Sequence, residues 1–217
     1  SILYHLARLG WRDVVLVEQY GLTHGSTWHS AGLVGQLRST ISLTKMMQYS
    51  VGLYADLARE TGKDPGWHEL GGLRLASSQE RYEEIQRQAG WAKSFGLPIE
   101  IVSPAEAKEL FPPMSIEGVV AAAFLPQDGY LDPSQLTFAR ADGARLLGAE
   151  IEQRTRVLDV IVEGGRCRGV VTDKGTIKAL AKAARRGVDV EILVPGKHLD
   201  RVIRAASTGV WGKLLEA

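Results

Sequence analysis

Cysteine is nearly absent: the chain has one, Cys167, so no internal disulfide can form. No Cys/His cluster has zinc spacing either, and no structural metal is expected. A lone thiol fits a reducing compartment, which makes the cytoplasm the expected location. A surplus of one charge is missing too, since 26 Lys and Arg stand against 25 Asp and Glu. No large field would draw the chain to nucleic acid or to an anionic membrane, so the expected partner is a small molecule. Long hydrophobic runs are also lacking. The longest, Gly118–Leu125 and Ile192–Val194 with their neighbours, fall far below the roughly 20 residues that span a bilayer, and no secretory leader pattern is read. No repeat or low-complexity stretch occurs. What remains is a globular composition of 217 residues, 45% hydrophobic and 24% charged, which suits one domain or two small ones.

The pattern along the chain is mixed α/β. Ile2, Leu3, Leu6 and Leu9 recur at helical spacing, with Gly10 where a left-handed C-cap falls. The chain is read as beginning inside a helix. The β-branched run Val14–Val17 has the composition of a parallel strand buried on both faces, and it ends at Glu18. A loop rich in Gly, Ser and Thr (Gly21–Gly35) leads to a helix carrying Leu43, Met46, Met47, Val51, Tyr54 and Leu57, which ends before Gly62. Gly71–Ala76 reads as a strand. Gln79–Gly96 reads as an amphipathic helix with Tyr82, Ile85, Ala89, Trp91 and Phe95 on its apolar face, and Ile99–Val102 as another strand. Ser103 at an N-cap, Pro104 at the first helical position and Glu106 in the first turn predict a short helix to about Leu110, stopped by Pro112 and Pro113. Val119–Leu125 is a strand, Asp132 and Pro133 start a helix to about Leu147, and Glu150–Glu163 and Arg166–Asp173 are two strands joined at Gly164 and Gly165. The character changes near Ile177–Ala179, after which a helix (Leu180–Arg186) and a strand (Val188–Val194) are read.

The chemistry concentrates in Gly25-Ser-Thr-Trp-His-Ser-Ala-Gly-Leu33. Small residues let the backbone approach a flat ligand, their N–H groups can bond phosphate or ring oxygens, and Trp28 and Leu33 can wall the ligand from water. A plain surface loop with one exposed histidine accounts for the same composition. A single structural hydrogen bond explains His5 or His24, and His68 could face a substrate, with packing under Trp67 the favoured reading. Asp132 reads as an N-cap, and Asp128 beside it has no support as half of a hydrolytic pair.

The order of Val14–Glu18, Gly25-Ser-Thr-Trp-His-Ser-Ala-Gly-Leu33, Glu60-Thr-Gly62, Gly71-Gly-Leu73, Pro126-Gln-Asp-Gly129 and Asp132-Pro133 resembles the sarcosine and dimethylglycine dehydrogenases, which are FAD-dependent and D-amino-acid-oxidase-like. The resemblance covers about residues 1–179. It implies an α/β fold: an incomplete Rossmann-type FAD-binding core of the glutathione-reductase type, with an inserted α+β region. Residues 1–40 and 134–179 would form the partial FAD-binding domain, 41–133 the inserted helix-and-sheet region, and 180–217 a tail of different character. The cofactor implied is FAD, covalently joined through His29 to the 8α-methyl carbon of the flavin, which requires a neutral imidazole as nucleophile. Glu18 would accept from the adenosine ribose. Gly25, Ser26, Thr27, Trp28, Ala31, Gly32 and Leu33 would line the pyrophosphate and flavin edge, and Val157 would meet the adenine through its backbone. As an alternating strand residue Val157 is read equally well as core. The reaction implied is oxidative demethylation of a small N-methylated amino acid, sarcosine or dimethylglycine, with folate or an electron-transfer acceptor as further partner.

Two departures qualify the expectation. The Gly-rich phosphate turn of such folds would precede Ser1, and the substrate-facing sheet would follow Ala179, so the chain is expected to be incomplete and catalytically incompetent. From Ala183 to Gly196 the tail resembles a phospholipase D-like cardiolipin synthase, without that superfamily's H-x-K signature; Lys197-His198 is not one. The chain is read as a mosaic or a misjoined frame, and the alternative is a divergent family member whose last strand, Val188–Val194, completes the Rossmann sheet. Three readings follow: a flavin-dependent dehydrogenase fragment, a non-catalytic protein on a flavoprotein scaffold, and a phospholipase D-like fragment.

Overall fold

The computed structural model of the chain describes residues 1–163 and 166–177. The expected glycine joint at 164–165, the helix at 180–186 and the strand at 188–194 lie outside the described residues. In chain order the elements begin with α1 (Ile2–Arg8), β1 (Val15–Glu18), a 3-10 turn (Thr27–His29), β2 (Leu33–Val34) and α2 (Ile41–Thr61). Then come β3 (His68–Glu69), β4 (Gly72–Ala76), α3 (Gln79–Ser94), β5 (Glu100–Val102), α4 (Pro104–Leu110), β6 (Ala121–Leu125) and β7 (Gly129–Tyr130). The order closes with α5 (Pro133–Leu146), β8 (Glu150–Gln153), β9 (Val157–Glu163), β10 (Arg166–Thr172) and β11 (Gly175–Ile177). Two compact units result, one of Ser1–His24 with the described residues from Arg140 on, the other of Gly25–Ala139.

In the first unit, α1 buries Leu3, Tyr4 and Ala7 and ends at Gly10, whose φ of +93° permits the turn. The Gly10 amide donates to Ala7 O and the Trp11 amide to Leu6 O, the paired bonds that satisfy the last carbonyls of a helix. β1 and β8 pair in parallel, with Glu18 opposite Gln153. All four residues of β1 are half-buried rather than buried on both faces, because β8 is the one strand paired with it among the described residues. The expected single strand Glu150–Glu163 is two. Arg154 turns the backbone to φ +52° and sends β9 into a separate antiparallel sheet, β11-β10-β9.

In the second unit, the antiparallel sheet β4-β6-β5 is built on alanine. Ala121, Ala122 and Ala123 are buried, so short side chains let Ile85, Ala89 and Ala92 of α3 pack on one face and Ala107 of α4 on the other. Burying Ile85, 1% exposed, contributes about 2 kcal/mol before entropy is counted. The helix α4 begins with a complete capping box: Ser103 Oγ accepts from the Glu106 amide, and Glu106 accepts from the Ser103 amide. Trp91, expected on the apolar face of α3, is exposed and meets the edge of Phe95 at 5.2 Å. In α2 the buried stripe runs through Thr44, Val51 and Leu57, while Leu43 and Met46 face water; Gly62, at φ +68°, ends the helix. Two-residue strands form a further sheet, β2-β7-β3. Its anchor is Val34, buried with Val51 and Leu131 against Met47, Tyr54, Trp67 and Leu136.

Candidate functional site

Gly25–Leu33 leaves the body of the second unit as a short 3-10 turn whose two hydrogen bonds run from the His29 amide to Ser26 O and from the Ser30 amide to Thr27 O. Ser26 caps the turn without a side-chain bond. Thr27 is half-buried, and Gly25, Ser26, Trp28, His29, Ala31 and Leu33 are exposed, Trp28 by 62% and Leu33 by 79%. The rings of Trp28 and His29 lie 3.8 Å apart at 31°. Among the described residues neither imidazole nitrogen of His29 takes a hydrogen bond, which leaves both to an incoming group.

The end of the loop is fixed more tightly than its middle. Gly32 has φ +73°, its carbonyl accepts from the Leu131 amide at 3.0 Å, and a Cβ on it would stand 2.1 Å from Leu131 O. Glycine is required there by conformation and by space. Leu33 then pairs with Tyr130 of β7, and Tyr130 with His68 of β3, so one face of the small sheet presents the row Leu33, Tyr130, His68, all exposed. His68 stacks on Tyr130 at 4.8 Å rather than under Trp67, whose neighbour is Tyr54.

Glu18 and Val157 belong to the first unit. The carboxylate of Glu18 is half-buried at the end of β1, where Oε1 accepts from the Tyr20 amide at 3.0 Å, and its carbonyl accepts from the Thr155 amide at 2.9 Å. Val157 opens β9 and is 40% exposed, so the core reading of that residue does not hold. Of the remaining histidines, His5 Nδ1 meets Ser1 O at 2.8 Å, the structural hydrogen bond expected, whereas His24 stacks on Tyr20 at 5.6 Å.

One family model, described as FAD dependent oxidoreductase (DAO), matches residues 1–210. The chain belongs to this family of FAD-dependent oxidoreductases. The matched stretch takes in residues 180–210, expected from sequence to be a tail of different character. Among relatives of this DAO-family chain, the pyruvate dehydrogenase phosphatase regulatory subunit, mitochondrial, of Mus musculus is 37% identical over 178 residues, 82% of the chain and 20% of that protein. Dimethylglycine dehydrogenase, mitochondrial, of Homo sapiens is 38% identical over 182 residues, 82% of the chain and 21% of that protein. The crystal structure of L-proline dehydrogenase from P. horikoshii superimposes with TM-score 0.76 at 29% identity, covering 88% of the chain and 54% of that structure. The chain thus spans about a fifth of the length of the relatives it matches. Its α/β fold is that of DAO-type flavoenzymes over part of their length.

The Gly25–Leu33 loop fits the family's cofactor: it presents an exposed imidazole without a hydrogen bond among the described residues, on a short turn with Gly25, Ser26, Ala31 and Gly32 as small neighbours and Trp28 against the ring. Sequence reasoning missed a second cluster. Asp128, 5% exposed, accepts from the Gln36 amide at 2.9 Å, and Arg74 donates to Leu37 O at 2.8 Å. Burial pushes the Asp128 carboxyl above the ordinary range, against the Gln36 hydrogen bonds and the attraction of Arg74 and Arg38. Burial likewise holds Arg74 below its ordinary value despite Asp128. The signal available in sequence was Asp128 beside Gly129, with Gly35 and Gly72 as the small residues that make room for the carboxylate.

Proposed function

We propose that this chain is the FAD-holding part, through His29 and Glu18, of an enzyme whose reaction is the oxidative demethylation of sarcosine or dimethylglycine. The observation that carries the reading is His29, exposed on its turn with neither nitrogen engaged among the described residues. A nucleophile must present a lone pair without first breaking a hydrogen bond, and this imidazole meets that need. Trp28, tilted against the ring, holds its orientation. Small residues at Gly25, Ser26, Thr27, Ala31 and Gly32 admit the flavin edge, and Leu33 shields it from water. Glu18 accepts from the ribose hydroxyls while the Tyr20 amide keeps its carboxylate at the strand end. Val157 offers its backbone to the adenine. FAD supplies the hydride acceptor for the substrate's C–H bond. The substrate class is a small N-methylated amino acid, with folate or an electron-transfer acceptor as partner, and a reducing, cytoplasmic location belongs to the same reading.

The reading is tested by dye reduction with sarcosine and with dimethylglycine, using protein that carries this stretch together with a Gly-rich phosphate turn and a substrate-facing sheet, and whose bound flavin has been quantified. Reduction with either substrate, lost in His29→Ala, supports it. Flavin-loaded protein that reduces the dye with neither contradicts it. A second reading, a non-catalytic protein on the same scaffold, is favoured by the 37% identity to a protein named as a regulatory subunit. It predicts bound flavin without turnover.

A further inference from the structure

We propose that Asp128 is a positioning residue that fixes the exit of the Gly25–Leu33 loop. The inference deepens the flavin reading and takes its functional meaning from it. Asp128 lies in the turn between β6 and β7, where three stretches of backbone meet. Its Oδ1 accepts from the Gln36 amide at 2.9 Å, three residues beyond Leu33. Its carbonyl accepts from the Gly71 amide at 2.8 Å, at the entry to β4. The Gln36 side chain returns the link, donating through Nε2 to Gln127 O at 2.8 Å. A Cβ on Gly35 would stand 3.3 Å from Oδ2, and one on Gly72 would stand 3.2 Å from it, so the carboxylate sits between two glycine backbones. Arg74 closes the knot by donating to Leu37 O at 2.8 Å.

The loop has few other restraints. β2 and β7 are two residues long, pairing Leu33 with Tyr130 and Val34 with Gly129. Strands that short specify register weakly by themselves. A one-residue slip would move Gly32 from Leu131 O, where only glycine fits, and would turn Leu33 inward in place of Val34. The Asp128 bond to Gln36 forbids the slip, because Gln36 follows β2 and Asp128 precedes β7. The choice of a carboxylate is costly, since both it and Arg74 are desolvated. What the charge provides is a stronger acceptor for the Gln36 amide and a counter-ion for the guanidinium that holds Leu37.

Hydrogen exchange on the 217-residue chain tests this, with wild type, Asp128→Ala and Asp128→Asn compared. Asp128→Ala should speed exchange of the Gln36 amide and its neighbours from Gly32 to Leu37 by tenfold or more, with α3 and α4 unchanged. Asp128→Asn keeps an acceptor without the charge and should give a smaller rise, about threefold. Unchanged exchange in Asp128→Ala, a rise spread equally over α3 and α4, or an Asn variant as fast as Ala would each overturn the proposal. Should Asp128→Ala fail to fold, the Asn variant decides: a rise confined to Gly32–Leu37 supports the pin and no rise overturns it. Bound flavin is measured alongside, and at equal folded content Asp128→Ala should hold less than wild type, with Asn between them. If wild type holds none, the flavin reading fails while the exchange result still decides the role of Asp128.

Discussion

Two stretches of the second unit lie side by side in sequence and are opposite in burial. Gly25–Leu33 is mostly exposed, carries an imidazole without a hydrogen bond among the described residues, and bonds within itself through one short turn and the Gly32 amide's bond to Ser30 Oγ. Gln36 and Leu37, each 2% exposed, are tied to Asp128 and Arg74. The difference separates two jobs. A stretch that receives a ligand must leave polar groups unspent, and a stretch that holds it in place must spend them.

The comparison breaks first at the pin. Asp128→Ala should lower unfolding free energy by about 3 kcal/mol, because it leaves the Gln36 amide without an acceptor and Arg74 without its counter-ion; urea denaturation checks it. Gly32→Ala comes next, at about 2 kcal/mol by the same measurement, since it joins a backbone clash with Leu131 O to a left-handed φ. Loss of the α4 cap in Ser103→Ala is a control away from both stretches and should cost about 1 kcal/mol. His29→Ala, on the exposed stretch, should stay within about 0.5 kcal/mol of wild type.

A pH series sharpens the same contrast. Because burial raises the Asp128 carboxyl in the folded state, the part of the stability linked to its proton is present in full below the unfolded carboxylate value of 3.8 and is lost as pH rises through the folded value, while the bond to the Gln36 amide remains. Wild type should therefore gain stability relative to Asp128→Asn as pH falls from neutral toward 4. Denaturation midpoints of the two proteins along the series report the sign, and a trend in the opposite direction would show that the arginines outweigh burial.

What could be read from sequence follows the range of the interactions. The helix at Ser103-Pro104-Ala105-Glu106 and the stops at Gly10 and Gly62 were legible because caps are local. The strands β3 and β7 were not, because two residues have no periodicity and exist only through partners far along the chain. Asp128 was passed over for the same reason: its acceptor role depends on Gln36, 92 residues away. Arg154 broke an expected long strand because nothing in its composition announces a positive φ. Within the candidate loop, the run from Gly25 to Leu33 was legible as a unit, while the requirement for glycine at Gly32 needed Leu131 in view.

The most direct test of the flavin assignment is the intact mass of the chain purified from cells supplied with riboflavin, taken for wild type and for His29→Ala. The account predicts an FAD-sized increment on wild type that is missing from the variant. An unmodified mass in both, or an increment that survives in His29→Ala, would contradict attachment through His29.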